Sequence, residues 1–186
     1  MRRIAALSLG LLLAAPLLAG SLAGVTMDDS KTVGGQALVL NGLALRSKFG
    51  FKVYVGGLYL PEKEADAKKV LAEDEHRYMV MQWVRNVEKA KVCEGFEEGL
   101  EANTPKASAD IKKNFESLCG FMQDARSGDR FTFNYVPGTG VEVAINDQVK
   151  GTLGAKPFAD ALFACWIGPH PGPGEDFREA LMGKKD

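Results

Sequence analysis

Three observations predict an α+β domain in which a helical layer covers one face of a large antiparallel sheet. Strand-like runs with period-two alternation occupy the first part of the chain and return after residue 129. Between them lie two segments whose apolar residues recur at helical spacing, and two further helical segments close the chain. No low-complexity tract or internal repeat divides it, and the proline-glycine cluster Pro169–Gly174 falls near the end.

The first 23 residues read as a signal peptide. Met1-Arg2-Arg3 is a basic start, Ile4 to Leu18 is apolar, and Ser21-Leu22-Ala23 puts small residues at −3 and −1 of a cleavage site. The apolar run is shorter than the roughly 20 residues a bilayer span needs. Cleavage after Ala23, or one residue later, leaves a single domain over residues 24–186. That is 163 residues, enough for a sizeable core, and the formal charge moves from −1 to −3 as Arg2 and Arg3 are lost. A weakly acidic balance without a basic block argues against nucleic acid and against an anionic membrane surface. No other long apolar run exists, so stable membrane insertion after cleavage is not expected.

The segment Val25–Gly34 is polar and carries a small strand at most. Gln36–Val39 and Leu43–Arg46 read as two short strands around an Asn41-Gly42 hairpin turn. Phe51–Leu60 is a strand rich in β-branched and aromatic residues, ending at Pro61. Ala65–Glu73 predicts a short helix, and His76–Arg85 a long apolar strand buried on both faces. Val92, Phe96 and Leu100 mark one helix; Ile111, Phe115, Leu118 and Met122 mark the next. Thr104-Pro105 breaks the chain between them, which predicts an antiparallel pair. Arg130–Val136 and Val141–Ile145 alternate around Gly138-Thr139-Gly140, and Val149–Leu153 completes a meander. Lys156–Ile167 and Glu175–Met182 are the closing helices.

Export implies an oxidising compartment, where paired thiols tend to be bridged. Cys93 and Cys119 lie about equally far from the Thr104–Ala107 turn, hence at equal height on an antiparallel helix pair. A Cys93–Cys119 disulfide is therefore expected, the alternative being three reduced, buried thiols. Cys165, on the apolar side of its helix beside Trp166, is expected to be buried and free.

Recognisable catalytic constellations are missing from the sequence. His76 and His170 are far apart, and neither has metal-ligand spacing to a cysteine or carboxylate. Gly56-Gly57 falls inside a strand, where it marks a bulge or close packing rather than a phosphate loop. No G-x-S-x-G elbow is present. Glu97-Glu98 and Asp28-Asp29 read as solvated faces, and no cofactor or metal is implied. What remains is the stretch Gly42–Pro61. Its alternation puts Phe51, Val53 and Val55 on one strand face and Lys52 and Tyr54 on the other, close to Arg46. Apolar walls with a few converging donors suit a small organic acid. The plainer reading makes Arg46 and Lys52 solvated surface residues and Tyr54 a rim aromatic.

The run GLALRSKFGFKVYVGGLYL, the segment Phe133–Asn146 and the closing PFADALFACWIG with LMG near the end resemble the chalcone isomerase family, and within it the bacterial exported chalcone isomerase-like proteins. The resemblance spans nearly all of the chain after residue 23. It implies an open-faced β-sandwich with a ligand cleft between sheet and helices, and, for an exported bacterial protein, a periplasmic location. It also implies one of two activities. The isomerases cyclise a chalcone to a flavanone, holding a near-attack geometry and stabilising the developing enolate with an arginine. A second branch binds fatty acids, gripping the carboxylate with that arginine and a tyrosine.

Arg46 corresponds to the family arginine. The isomerase threonine corresponds to Tyr54, its tyrosine and asparagine fall near Glu88 and Gly95, and its Ser/Thr falls at Cys165. The arginine is kept and the other polar groups are replaced, so the resemblance favours non-catalytic binding of a fatty acid or similar apolar acid by Arg46 and Tyr54, with no residue assigned a catalytic role. Isomerisation of a chalcone-like enone, and an envelope structural or partner-binding module with a closed cleft, are the alternatives.

Overall fold

Alternation and turn chemistry decide most of the chain in the computed structural model, which describes residues 19–184. A small hairpin, β1 (Ala19–Leu22) and β2 (Val25–Asp28), comes first. It is followed by β3 (Ser30–Val33), β4 (Gln36–Lys48), β5 (Phe51–Leu60), β6 (Arg77–Trp83), β7 (Arg130–Val136), β8 (Gly140–Ile145) and β9 (Gln148–Leu153). These seven pair in sequence order as one antiparallel sheet. Helix α1 (Ala67–Ala72) links β5 to β6, while α2 (Lys89–Asn103) and α3 (Ala109–Phe121) link β6 to β7. Two more, α4 (Lys156–Ile167) and α5 (Glu175–Leu181), follow β9.

The helices share one face of the sheet. There Leu58, Met79, Phe131, Phe133 and Val143 pack with Phe96, Phe115, Leu118, Phe158 and Trp166 in the main core. Helix α4 is apolar around nearly its whole circumference, and such a helix must be covered on every side. It lies between the sheet and the outer helices. On the opposite face a smaller cluster of Leu38, Val55, Tyr59 and Val80 is covered by Met27 of the β1–β2 hairpin. One face is thus fully layered and the other only partly, as an open-faced sandwich requires.

Asn41-Gly42 is not a turn. β4 runs unbroken through it, with a register shift between Leu40 and Gly42 against β5. Asn41 is buried and its amide donates to the carbonyls of Leu181 (2.8 Å) and Glu64 (2.9 Å), while its oxygen accepts from the Glu64 N–H. A Cβ on Gly42 would lie 2.1 Å from the carbonyl oxygen of Ala180. The Asn-Gly pair therefore seats the end of α5, a partner far away in sequence. Two-residue turns occur instead at Gly34-Gly35, Phe49-Gly50 and Asn146-Asp147, all with positive φ. Phe49 (φ 53) is the exception in chemistry: a bulky side chain in the left-handed region costs about 1–2 kcal/mol.

The basic start and the apolar run expected to direct export lie within residues 1–18, outside the described residues. Ala23 itself occupies the β1–β2 turn with φ 52, followed by Gly24 with φ 82. Cleavage after Ala23 would remove β1 from its pairing with β2.

Candidate functional site

The pairing of β4, β5 and β6 assembles the site. Arg46 lies opposite Tyr54 across β4–β5, and Tyr54 lies opposite Trp83 across β5–β6. Directly opposed residues of antiparallel strands project from the same face. Arg46, Tyr54 and Trp83 therefore form one row across three strands, on the side facing the helices. Just before this row the register shifts, with Ser47 opposing Lys52 and Arg46 opposing Tyr54, so Val53 is an extra residue in β5. Such a bulge resets the alternation. Phe51, Val53 and Tyr54 consequently all line the cleft beside Arg46, and Lys52 does not. The sequence pattern had grouped Lys52 with Tyr54; the bulge separates them.

The cleft has a volume of about 580 Å³ and lies between this end of the sheet and α2, with α4 and the α4–α5 loop at its back. Its apolar walls include Met81, Trp83, Val92, Phe96 and Trp166. That volume is within the range of roughly 300–1,000 Å³ usual for small-molecule pockets. Met81 and Trp83 line the cleft without closing it, and Tyr59 lies on the opposite face of the sheet.

Each donor in the row has a defined environment. Arg46 is half-buried; its Nη1 donates to the Pro173 carbonyl at 2.6 Å, which holds the guanidinium against the α4–α5 loop. Among the described residues no carboxylate pairs with it, so its fork is not neutralised by the protein. Tyr54 is buried, edge-on to Trp83 (5.3 Å between centroids) and to Phe177 (5.7 Å). Burial raises its phenol well above the ordinary value, opposed by the Trp166 indole and the Arg46 charge. It stays a protonated donor at any physiological pH. Trp83 is buried too, and its indole Nε1 has no hydrogen-bond partner. Leaving a buried N–H unpaired costs on the order of 1–3 kcal/mol, which a ligand acceptor would recover. No sequence pattern marks Trp83 as part of the site; the joint register of β4, β5 and β6 brings it into this row.

The positions corresponding to the isomerase polar groups also reach this cleft: Tyr54, Glu88, Gly95 and Cys165 all line it. None of them offers an aliphatic hydroxyl. Glu88 stands at the N-cap of α2 without a side-chain capping bond. Cys165 is packed, its Sγ 3.5 Å from the Ala161 carbonyl, and burial pushes its thiol up to about 12. As expected, it is a buried, free cysteine without nucleophilic character.

Cys93 and Cys119 come together across the antiparallel α2–α3 pair, as their equal spacing from the turn predicts. They are free thiols in this structure, and the expected bridge is not formed. The Cys93 thiol instead donates a weak bond to the Cys119 carbonyl at 3.8 Å. Burial, followed by the neighbouring Cys93, pushes the Cys119 thiol up to about 12.

No curated protein sequence matches this one significantly. Among solved structures, a fatty-acid binding protein of Arabidopsis thaliana is similar in fold, with a TM-score of 0.67 at 15% identity over 90% of this chain and 97% of that one. At that identity the likeness speaks for architecture. The family is settled by the sequence itself: residues 19–183 match the model of the chalcone isomerase-like family, and the chain belongs to that family.

Proposed function

We propose that this protein binds a fatty acid or a similar apolar carboxylic acid in the cleft between sheet and helices, without transforming it. The observation that carries the reading is the row Arg46–Tyr54–Trp83, three donor-bearing side chains at one end of an apolar cleft, with no carboxylate among the described residues paired to the guanidinium. A planar fork grips a carboxylate through two parallel bonds, and the phenol and indole add donors that cannot lose their protons at neutral pH. The apolar walls favour a hydrocarbon chain by about 0.8 kcal/mol per buried methylene. The fatty-acid binding protein of similar fold is consistent with this reading. Cyclisation of an enone finds less support, because the positions where the isomerases carry hydroxyl and amide groups hold Glu88, Gly95 and Cys165.

Native mass spectrometry of the purified protein tests the proposal. Bound or added long-chain acid is expected on the parent protein. Arg46→Ala, which removes a charge-assisted pair of about 1.5–3 kcal/mol, is expected to weaken it roughly ten- to hundredfold. Failure of the parent to take up any fatty acid would refute the reading, and Arg46-dependent, stereoselective cyclisation of a chalcone would replace it.

We also propose that the protein is exported to the periplasm and that the Cys93–Cys119 bridge forms there. Oxidation would join the two Sγ atoms and pass two electrons and two protons to an oxidising disulfide of a thiol oxidase. The intact mass of the processed protein reads both points, since cleavage after Ala23 and loss of two hydrogens are separable mass changes.

A further inference from the structure

The turn joining β4 to β5 breaks local rules in a way that packing does not repay. Phe49 is 88% exposed and Phe51 is 60% exposed, the two largest exposures among the described large apolar residues. Phe49 also occupies the left-handed region, where a two-residue turn favours asparagine or glycine. An aromatic so strained and so far turned outward is the kind of local inconsistency found at functional positions.

Charge surrounds it. The β4–β5 hairpin brings Arg46, Lys48 and Lys52 to this end of the sheet, and Arg85, beyond the end of β6, lies beside its Phe51. The Arg85 guanidinium lies 4.8 Å from the Phe51 ring centre and Lys48 Nζ lies 5.8 Å from that of Phe49. Acidic residues stand across the cleft at Glu88, the N-cap of α2, and on α2 at Glu94 and Glu98, where Glu94 is paired with Lys91. The hairpin lip itself carries only cations. Whole-chain charge argued against an anionic surface because it averages over this segregation.

We propose that this tip is a docking element for a bilayer surface with anionic headgroups. Phe49 and Phe51 enter the interface while Lys48, Lys52 and Arg85 meet the phosphates. One apolar signal plus a basic patch is the combination that gives reversible attachment. A single hairpin tip is far smaller than the roughly 800 Å² per partner of a stable protein interface. It also forms the wall of the cleft: Lys48, Phe49 and Phe51 line its mouth, so a docked molecule would hold that mouth against the membrane. No helix among the described residues is long and apolar enough to cross a membrane.

Two measurements on the full chain test it, and neither depends on what the cleft binds. A Phe49→Trp variant, mixed with phosphatidylethanolamine–phosphatidylglycerol vesicles containing brominated acyl chains, is expected to lose tip fluorescence. Val149→Trp, which reports an exposed apolar position (58%) on β9, is not. Vesicles of phosphatidylcholine alone, or high salt, should reduce the quenching several-fold. In co-sedimentation, Phe49→Asn is expected to lower the bound fraction several-fold while its melting temperature holds or rises, because asparagine suits the turn. Equal quenching of both reporters, absence of quenching, or unchanged sedimentation of Phe49→Asn would overturn the proposal. So would tip-dependent self-association without vesicle binding, which would make the tip a contact between copies.

Discussion

At the scale of single residues, the site is set by groups whose ordinary partners are missing. Trp83 is the sharpest case. Its ring is packed edge-on against Tyr54 and Phe131, yet its Nε1 is buried and unpaired. Replacement by phenylalanine keeps an aromatic ring and removes the orphan donor. Trp83→Phe is expected to cost the empty protein well under the roughly 3–5 kcal/mol of a Trp→Ala truncation. It should weaken binding of a long-chain acid by up to about 1.5–3 kcal/mol, the range for a hydrogen bond to a charged group. Titration calorimetry with the acid and with its alcohol of equal length separates donor from wall. A loss confined to the acid supports the donor role, and equal losses would reduce Trp83 to packing. The residue was visible in the sequence, but its partner was not. A buried tryptophan announces bulk, whereas its unpaired N–H emerges only from the register of three strands.

At the scale of elements, α2 is one wall of the cleft; it packs chiefly on α4, and a lighter seam joins it to α3. The two helices meet at Cys93 and Cys119, 26 residues apart in sequence. A bridge closing a loop of that size is expected to stabilise by about 3 kcal/mol on the loop-entropy account. The oxidised protein should therefore melt several degrees above the reduced one, and Cys93→Ser should abolish the difference. Alkylation without reductant should label Cys165 alone, and only after unfolding. Labelling of all three thiols in protein taken from an oxidising compartment would remove the bridge. The helix pair was legible because apolar residues every three or four positions and the Thr104-Pro105 break are local signals. β7 and α4 were legible to the residue for the same reason, one by strict alternation and one by Phe158, Ala161, Leu162 and Cys165 at helical spacing. Asn41-Gly42 was misread as a turn because its real role, receiving the α5 carbonyls, is written 140 residues downstream. The bulge at Val53 escaped for a related reason, since register shifts are a property of two strands and the sequence pattern is a property of one.

At the scale of the whole molecule, all four tyrosines of the chain are held protonated beyond their ordinary range. Burial is the first cause at each. For Tyr135 the hydrogen bond to Asp74 adds to it, and the phenol is pushed up to about 12. Lys31, lowered by burial, acts in the opposite sense. An unfolded chain ionises its tyrosines near pH 10. Above about pH 10 the unfolded state therefore binds fewer protons than the native state, and stability falls as pH rises. The tyrosine contribution is complete below about pH 10 and is lost as pH climbs through the folded value, about 12 for Tyr135. Tyr54 and Tyr135 are buried under the helices and Tyr59 on the opposite face, while Tyr78 is half-buried, so ionisation of the three buried phenols is coupled to loss of the fold. Phenolate absorbance and near-ultraviolet circular dichroism, followed together from neutral pH upward, are expected to change in a single cooperative step above about pH 10. A gradual titration centred near pH 10 with the tertiary signal preserved would mean that water reaches these hydroxyls in the native state. That would also remove the dry surroundings on which the grip of Arg46 and Tyr54 on a carboxylate depends.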